Sequence, residues 1–146
     1  MNAHFVFGYH ADSGNDAGTA DENEEYDPFF YDTHNNAGEM DVFQWGNLTY
    51  MSLGFTMEPM DSMTLGVHYY IFSASEKDST VNAMGSSTAT VADEDALGNE
   101  IDITLNKKYT DNFGIGLRYS QFSGGDALGT DLDTYSQLFV EGKMTF

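Results

Sequence analysis

Apolar and polar side chains alternate with a period of two in six stretches of the chain, most cleanly in the last. There Leu138, Val140, Gly142, Met144 and Phe146 fall on one face, and Phe139, Glu141, Lys143 and Thr145 on the other. Successive side chains of a β-strand point to opposite sides, so this spacing predicts strands with one apolar face and one small or polar face. The predicted strands are Ala3 to His10, Leu48 to Met57, Ser62 to Phe72, Glu100 to Tyr109, Asn112 to Phe122 and Tyr135 to Phe146. In the first, Phe5, Phe7 and Tyr9 oppose His4, Val6, Gly8 and His10. An apolar strand face can be hidden against a protein core or against hydrocarbon. A terminal aromatic on that face, Phe146 beside Met144, with similar strands before it, points to a membrane β-barrel.

The connections alternate in length. Glu58 to Asp61 and Thr110-Asp111 are tight turns, whereas residues 11–45, 73–99 and 123–134 form long loops. Short turns on the periplasmic side and long loops outside are the asymmetry of outer-membrane barrels, and it places the C-terminus in the periplasm. The 11–45 loop carries ten acidic residues between Asp12 and Asp41 and no Lys or Arg, so it is expected to lie in water. Phe43, Trp45, Tyr109, Phe122 and Tyr135 fall near strand ends, where an aromatic girdle would meet lipid headgroups.

Composition narrows the function. With 24 Asp and Glu against 5 Lys and Arg, the formal charge of -19 has the wrong sign for nucleic acid or an anionic membrane surface. The absence of cysteine excludes disulfides and thiolate metal sites. No apolar run reaches the length of a membrane helix, and a mean hydropathy of -0.40 averages over lipid-facing and lumen-facing positions. The inner face carries the cations Lys108, Arg118 and Lys143, the anions Glu100, Asp102 and Glu141, and His4, His10 and His68. Rings of such groups set pore selectivity, and the same charges can instead pair across strands, Glu141 with Lys143 and Asp102 with Lys108 or Arg118, to brace the wall. Asp12, Asp16, Asp21 and Glu22, with Glu24 and Glu25, offer hard oxygen ligands for Ca²⁺, although their spacing is not that of an EF-hand. The four histidines lack a spacing that converges ligands, and His34 is expected to pack within its loop. His68, Tyr70 and Ser52 do not form a nucleophile with a base and an orienting group, so no enzyme is expected, and no cofactor beyond Ca²⁺.

Two groups of motifs carry a resemblance. Asp27-Pro28-Phe29-Phe30-Tyr31-Asp32-Thr33-His34, then Gly38-Glu39-Met40-Asp41 and Asn47-Leu48, lead into a strand. Leu97-Gly98-Asn99-Glu100-Ile101-Asp102-Ile103-Thr104-Leu105 is followed by Tyr109-Thr110-Asp111-Asn112, and Gly125-Asp126-Ala127-Leu128 precedes the closing strand. In this order they resemble the alginate export outer-membrane porins. The resemblance implies an all-β fold, an antiparallel transmembrane barrel of eighteen strands, of which this chain supplies about six at the C-terminal end. Six strands are too few to close a barrel, and Met1 precedes a strand with no signal-peptide pattern between them. The chain therefore reads as a fragment, a truncated product or one begun at an internal Met. The resemblance further implies a bacterial outer-membrane location and lipid or lipopolysaccharide around the barrel. It implies recognition of the C-terminal strand, with Phe146 and Met144, by the barrel assembly machinery. It also implies a basic lumen drawing a polyuronate, with Lys108, Arg118 and Lys143 in that role.

Three classes of function follow in order. The first is a channel passing a polysaccharide such as alginate, or small solutes, by diffusion through a water-filled lumen. The second is an acidic surface-binding or adhesive barrel, with or without divalent cations. The third is a soluble all-β binding domain whose alternation faces a protein core.

Overall fold

A computed structural model of the chain describes residues 2–16, 18–19, 21–30, 32–34, 36–83, 88–91, 93–128 and 134–146. Tyr31 of the first motif and parts of the three long loops lie outside the described residues. The strands are β1 (Ala3–Ala11), β2 (Leu48–Met60), β3 (Met63–Ala74), β4 (Ser79–Asn82), β5 (Thr88–Val91), β6 (Ala96–Thr110), β7 (Phe113–Gly124) and β8 (Tyr135–Met144). Six of them form one antiparallel sheet in the order β1-β2-β3-β6-β7-β8, and β4 and β5 pair separately as a hairpin. The six are the six stretches of two-residue alternation. The hairpin, inside what reads as the 73–99 loop, has strands of only four residues, too short to give a periodic signal.

Boundaries move for local reasons. The first tight turn shrinks to Asp61 and Ser62 because β2 continues through Pro59 to Met60, with a register shift between Met57 and Met60 that accommodates a residue without an N–H. β6 begins at Ala96, four residues before the pattern does, and its pairing with β3 shifts register between Phe72 and Ser73 beside Gly98 at φ 139°. β8 stops at Met144, so Phe146 lies beyond the strand that the alternation extends to it.

Register aligns the apolar positions into continuous rows. Phe5 opposes Phe55, Phe55 opposes Val67, Val67 opposes Ile103, Ile103 opposes Tyr119 and Tyr119 opposes Leu138. The adjacent row on the other face runs Val6, Gly54, His68, Asp102, Ser120 and Gln137. It is the apolar face that stands bare, with Phe5 75% and Leu138 67% exposed, while Glu100 and Asp102 on the polar face are 0% and 3% exposed. A sheet folded for water covers its apolar side. This one covers the polar side and leaves the apolar side bare.

The covering is the second half of the first long loop, which does not lie wholly in water as its acidity predicts. Phe43 lands on the inner face with ring centroids 5.2 Å from Phe72 and 5.7 Å from Phe122. Leu48, Leu97, Val81 and Val91 close a small apolar core around it. Phe43 also bridges to Ala83, and Gln44 N–H donates to Asn82 C=O at 2.9 Å, tying the loop to the β4–β5 hairpin. Asn47, fully buried at φ 51°, clamps the junction: its Nδ2 donates to Glu76 C=O and Thr80 C=O, and its Oδ1 accepts from Glu76 N–H at 2.7 Å.

These contacts correct the girdle. Phe43 and Phe122 are core residues of the inner face, and Trp45 packs on His10, with centroids 4.5 Å apart, and on Tyr50. Tyr135 opposes Phe122 and so shares that face. Of the five, Tyr109 alone keeps the outward parity of Ile103 and Leu105, stacked 5.8 Å from Phe113. An aromatic at a strand end reads the same whichever face it takes when a loop folds back to meet it.

Candidate functional site

The two motif groups, about sixty residues apart, meet on the inner wall. Gly38 rests directly on Glu100, at φ 93°, where an added Cβ would come within 2.5 Å of the carboxylate. Glu100 Oε1 accepts from Met40 N–H at 2.9 Å, and Asp102 Oδ2 accepts from Glu39 N–H at 3.3 Å. Two strand carboxyl groups thus accept from consecutive loop amides, backbone groups that would otherwise be buried unpaired. Gly38→Ala is expected to weaken this docking by about 1–3 kcal/mol through left-handed strain and the lost close approach, read as a lower urea midpoint for the folded protein in detergent.

Once docked, the segment projects its own charges into the lumen face. Glu39 Oε2 accepts from Arg118 Nη1 at 2.9 Å, and the Arg118 guanidinium lies 4.8 Å above the Phe139 ring. Gln137 Nε2 donates to Glu39 C=O at 3.1 Å. His34 Nδ1 lies 2.8 Å from Asp41 Oδ2 and its Nε2 3.4 Å from Glu39, so His34 packs within its loop as expected. Between segment and wall is an alcove of about 270 Å³ lined by His34, Glu39, Thr56, His68, Tyr70, Asp102 and Thr104, with Gly38 and Gly66. His68, expected in the lumen, lies on its floor against Gly54.

The structure separates the three expected lumen cations. Arg118 sits mid-wall and is paired with Glu39, a loop residue, instead of with Asp102 across the strands. Lys108 and Lys143 lie near the short turns, both opposite Gly114, and Lys108 reaches Asp111 at 3.0 Å with both groups exposed. They border a hollow of about 290 Å³ together with Glu141, and no ion pair joins Glu141 to Lys143 among the described residues. Sequence spacing assigns a face. It does not show which charges a folded-back loop will neutralise.

The acidic positions proposed for Ca²⁺ are also apart. Asp12 is buried and committed, its Oδ2 accepting from Gly46 N–H at 3.1 Å and its Oδ1 lying 2.8 Å from His10 Nε2. Asp16 accepts from Gly18 N–H, while Asp21 and Glu22 edge a separate open hollow with Glu25. Burial, then the charge of Asp27, raises the Glu25 carboxyl above the usual range. Among the described residues no three acidic or histidine side chains gather to hold a metal ion.

Residues 1–140 match the family model described as alginate export. The chain belongs to the alginate export family. This is a family of outer-membrane porins, of transport channels and not of enzymes, and the six-stranded antiparallel sheet is consistent with part of a β-barrel of the alginate export family. Comparison with curated proteins gives no match. In this chain the two motif groups have a physical relation, since the loop stretch and the strand stretch are the two halves of one docking contact.

Proposed function

We propose that this chain forms part of the wall of a channel in the bacterial outer membrane, which passes a polysaccharide such as alginate, or small solutes, through a water-filled lumen. The observation that carries the reading is the inversion of the sheet: bare Phe, Leu and Tyr rows outside, and charged, hydroxylated and glycine rows inside beneath a folded-in loop. The apolar rows face lipid, and lipopolysaccharide in the outer leaflet. Each of β1 and β8 has one neighbour in the sheet, and in the barrel their other edges pair with further strands, because lipid cannot satisfy unpaired N–H and C=O groups. The barrel assembly machinery acts through β8, whose lipid-facing positions include Met144 and which Phe146 follows.

Solutes move by diffusion, biased by the charge they meet on the wall. Lys108 and Lys143 supply positive charge near the short turns, while Arg118 contributes less than its formal charge because Glu39 lies against it. Single-channel recording of the barrel in planar bilayers is expected to show stepwise conductance, and oligouronate is expected to interrupt it. Folded, membrane-inserted protein that never opens a step would overturn the reading.

A further inference from the structure

One charge interrupts the apolar face. Among the described residues of the six-stranded sheet, Lys107 alone carries charge at an outward position. It opposes Met63 on β3 and Ile115 on β7, and the next outward row is Leu65, Leu105 and Leu117. A cation beside hydrocarbon is costly unless its stem carries the ammonium to the polar boundary. Lys107 is placed for this, level with the β2–β3 turn: its Nζ donates to Asp61 C=O at 2.8 Å, and Lys108 N–H donates to Ser62 C=O at 2.9 Å. The bond to Asp61 uses one of the three ammonium donors. No acidic side chain pairs with Lys107 among the described residues. The other acids of the short turns are engaged elsewhere, Asp111 with Lys108 at 3.0 Å and Glu58 with Asn2 Nδ2 at 3.2 Å. Tyr109, two residues on and on the same face, is 60% exposed and stacks on Phe113. An aromatic ring with a hydroxyl tip suits the headgroup boundary, its body in hydrocarbon and its oxygen in the polar layer.

We propose that Lys107 and Tyr109 form a docking site for an anionic glycerophospholipid of the periplasmic leaflet. The ammonium and the phenol hydroxyl donate to the lipid phosphate, and the acyl chains lie along the row of Met63 and Ile115. The proposal rests on the outer-membrane barrel reading and adds to it a lipid partner at a fixed place. Charge complementarity selects the occupant. An anionic headgroup brings an uncompensated phosphate to an unpaired ammonium, whereas a choline headgroup carries its own cation beside the phosphate. A solute in the lumen meets Lys108 and Lys143 on the other face and does not reach Lys107. Docked there, the lipid touches both the β2–β3 turn, through Asp61 and Lys107, and the β6–β7 hairpin, through Tyr109.

Met63→Trp sets a fluorophore opposite Lys107. The intact barrel is reconstituted in vesicles of phosphatidylcholine mixed with phosphatidylglycerol, with bromine on the acyl chains of one lipid or the other. The fluorescence that the new residue adds over the parent barrel is quenched by whichever lipid sits beside it. Phosphatidylglycerol is expected to bind there about two- to fivefold more strongly than phosphatidylcholine, the effect of one basic residue at a membrane surface. Lys107→Gln is expected to lower this ratio to about one, and Lys107→Arg to keep it. Tyr109→Phe, which retains the stack on Phe113, is expected to lower it part-way, and no change there removes the phenol from the site. A ratio of one in the Met63→Trp barrel, or one that Lys107→Gln leaves unchanged, overturns the proposal. So does a preference abolished by inorganic phosphate at matched ionic strength, which would assign the contact to a free anion. Heat-modifiable gel mobility establishes that each barrel is folded, and should Met63→Trp not fold, Phe113→Trp is the second reporter. The two failures are distinguishable. Equal quenching by both brominated lipids removes the site alone, whereas a folded barrel quenched by neither removes the lipid-facing assignment and the membrane reading with it.

Discussion

Ile103→Lys is expected to destabilise the folded barrel in a bilayer by about 2–4 kcal/mol, while Thr104→Lys, one residue along, costs under about 1 kcal/mol. Ile103 lies in the middle of β6, opposite Val67 and Tyr119, in an apolar row that spans all six strands. A charge there must be taken into hydrocarbon or drag water and headgroups toward it. Thr104 points to the other face, onto the alcove, where an ammonium meets water and the carboxylates Glu39 and Asp102. Urea titration of folding into lipid vesicles measures both. Equal costs at the two positions would mean that the faces have been assigned to the wrong environments, and the membrane reading would go with them.

Phe43→Ala is expected to cost about 3–5 kcal/mol, the range for an aromatic removed from a packed core. Phe43 is 1% exposed and touches both Phe72 and Phe122, so its loss leaves a cavity bounded by strand residues that cannot close on it. The effect is expected to be local. Limited proteolysis should cut within the first long loop, and the sheet should keep its heat-modifiable mobility, because the backbone ladders of β2, β3, β6 and β7 do not pass through Phe43. Uncut loop in Phe43→Ala would show that the carboxylate contacts at Met40 and Glu39 suffice to hold the segment, and would refute the anchoring role of the ring. Because Glu39 rides on the same segment, the variant should also widen the solute path.

The six long strands, their antiparallel order and the face of each side chain are legible in the alternation alone. Phe5, Leu53, Val67, Ile103, Leu117 and Val140 take the outward face that a period of two assigns them. A strand's side chains have only two directions, and one residue of slip would put the whole apolar set on the wrong side. That constraint is local and repetitive, so sequence carries it well.

What covers the inner face is different in kind. Nothing in the acidic stretch from Asp12 to Asp41 announces that its end turns back onto Phe72 and Phe122, because the docking is a sum of one ring, two amides, one salt bridge and a glycine without a Cβ, supplied from separate parts of the chain. Gly38, Glu100 and Asp102 stand in the motifs, but only their juxtaposition shows that the two motifs serve each other. The sheet, its two faces and its family are written in the residues alone, since each depends on patterns within one strand or on motif order. The neutralisation of Arg118, the commitment of Asp12 to Gly46 and the gathering of carboxylates at the alcove emerge in three dimensions, because long-range contacts between loop and wall leave no periodic trace in the chain.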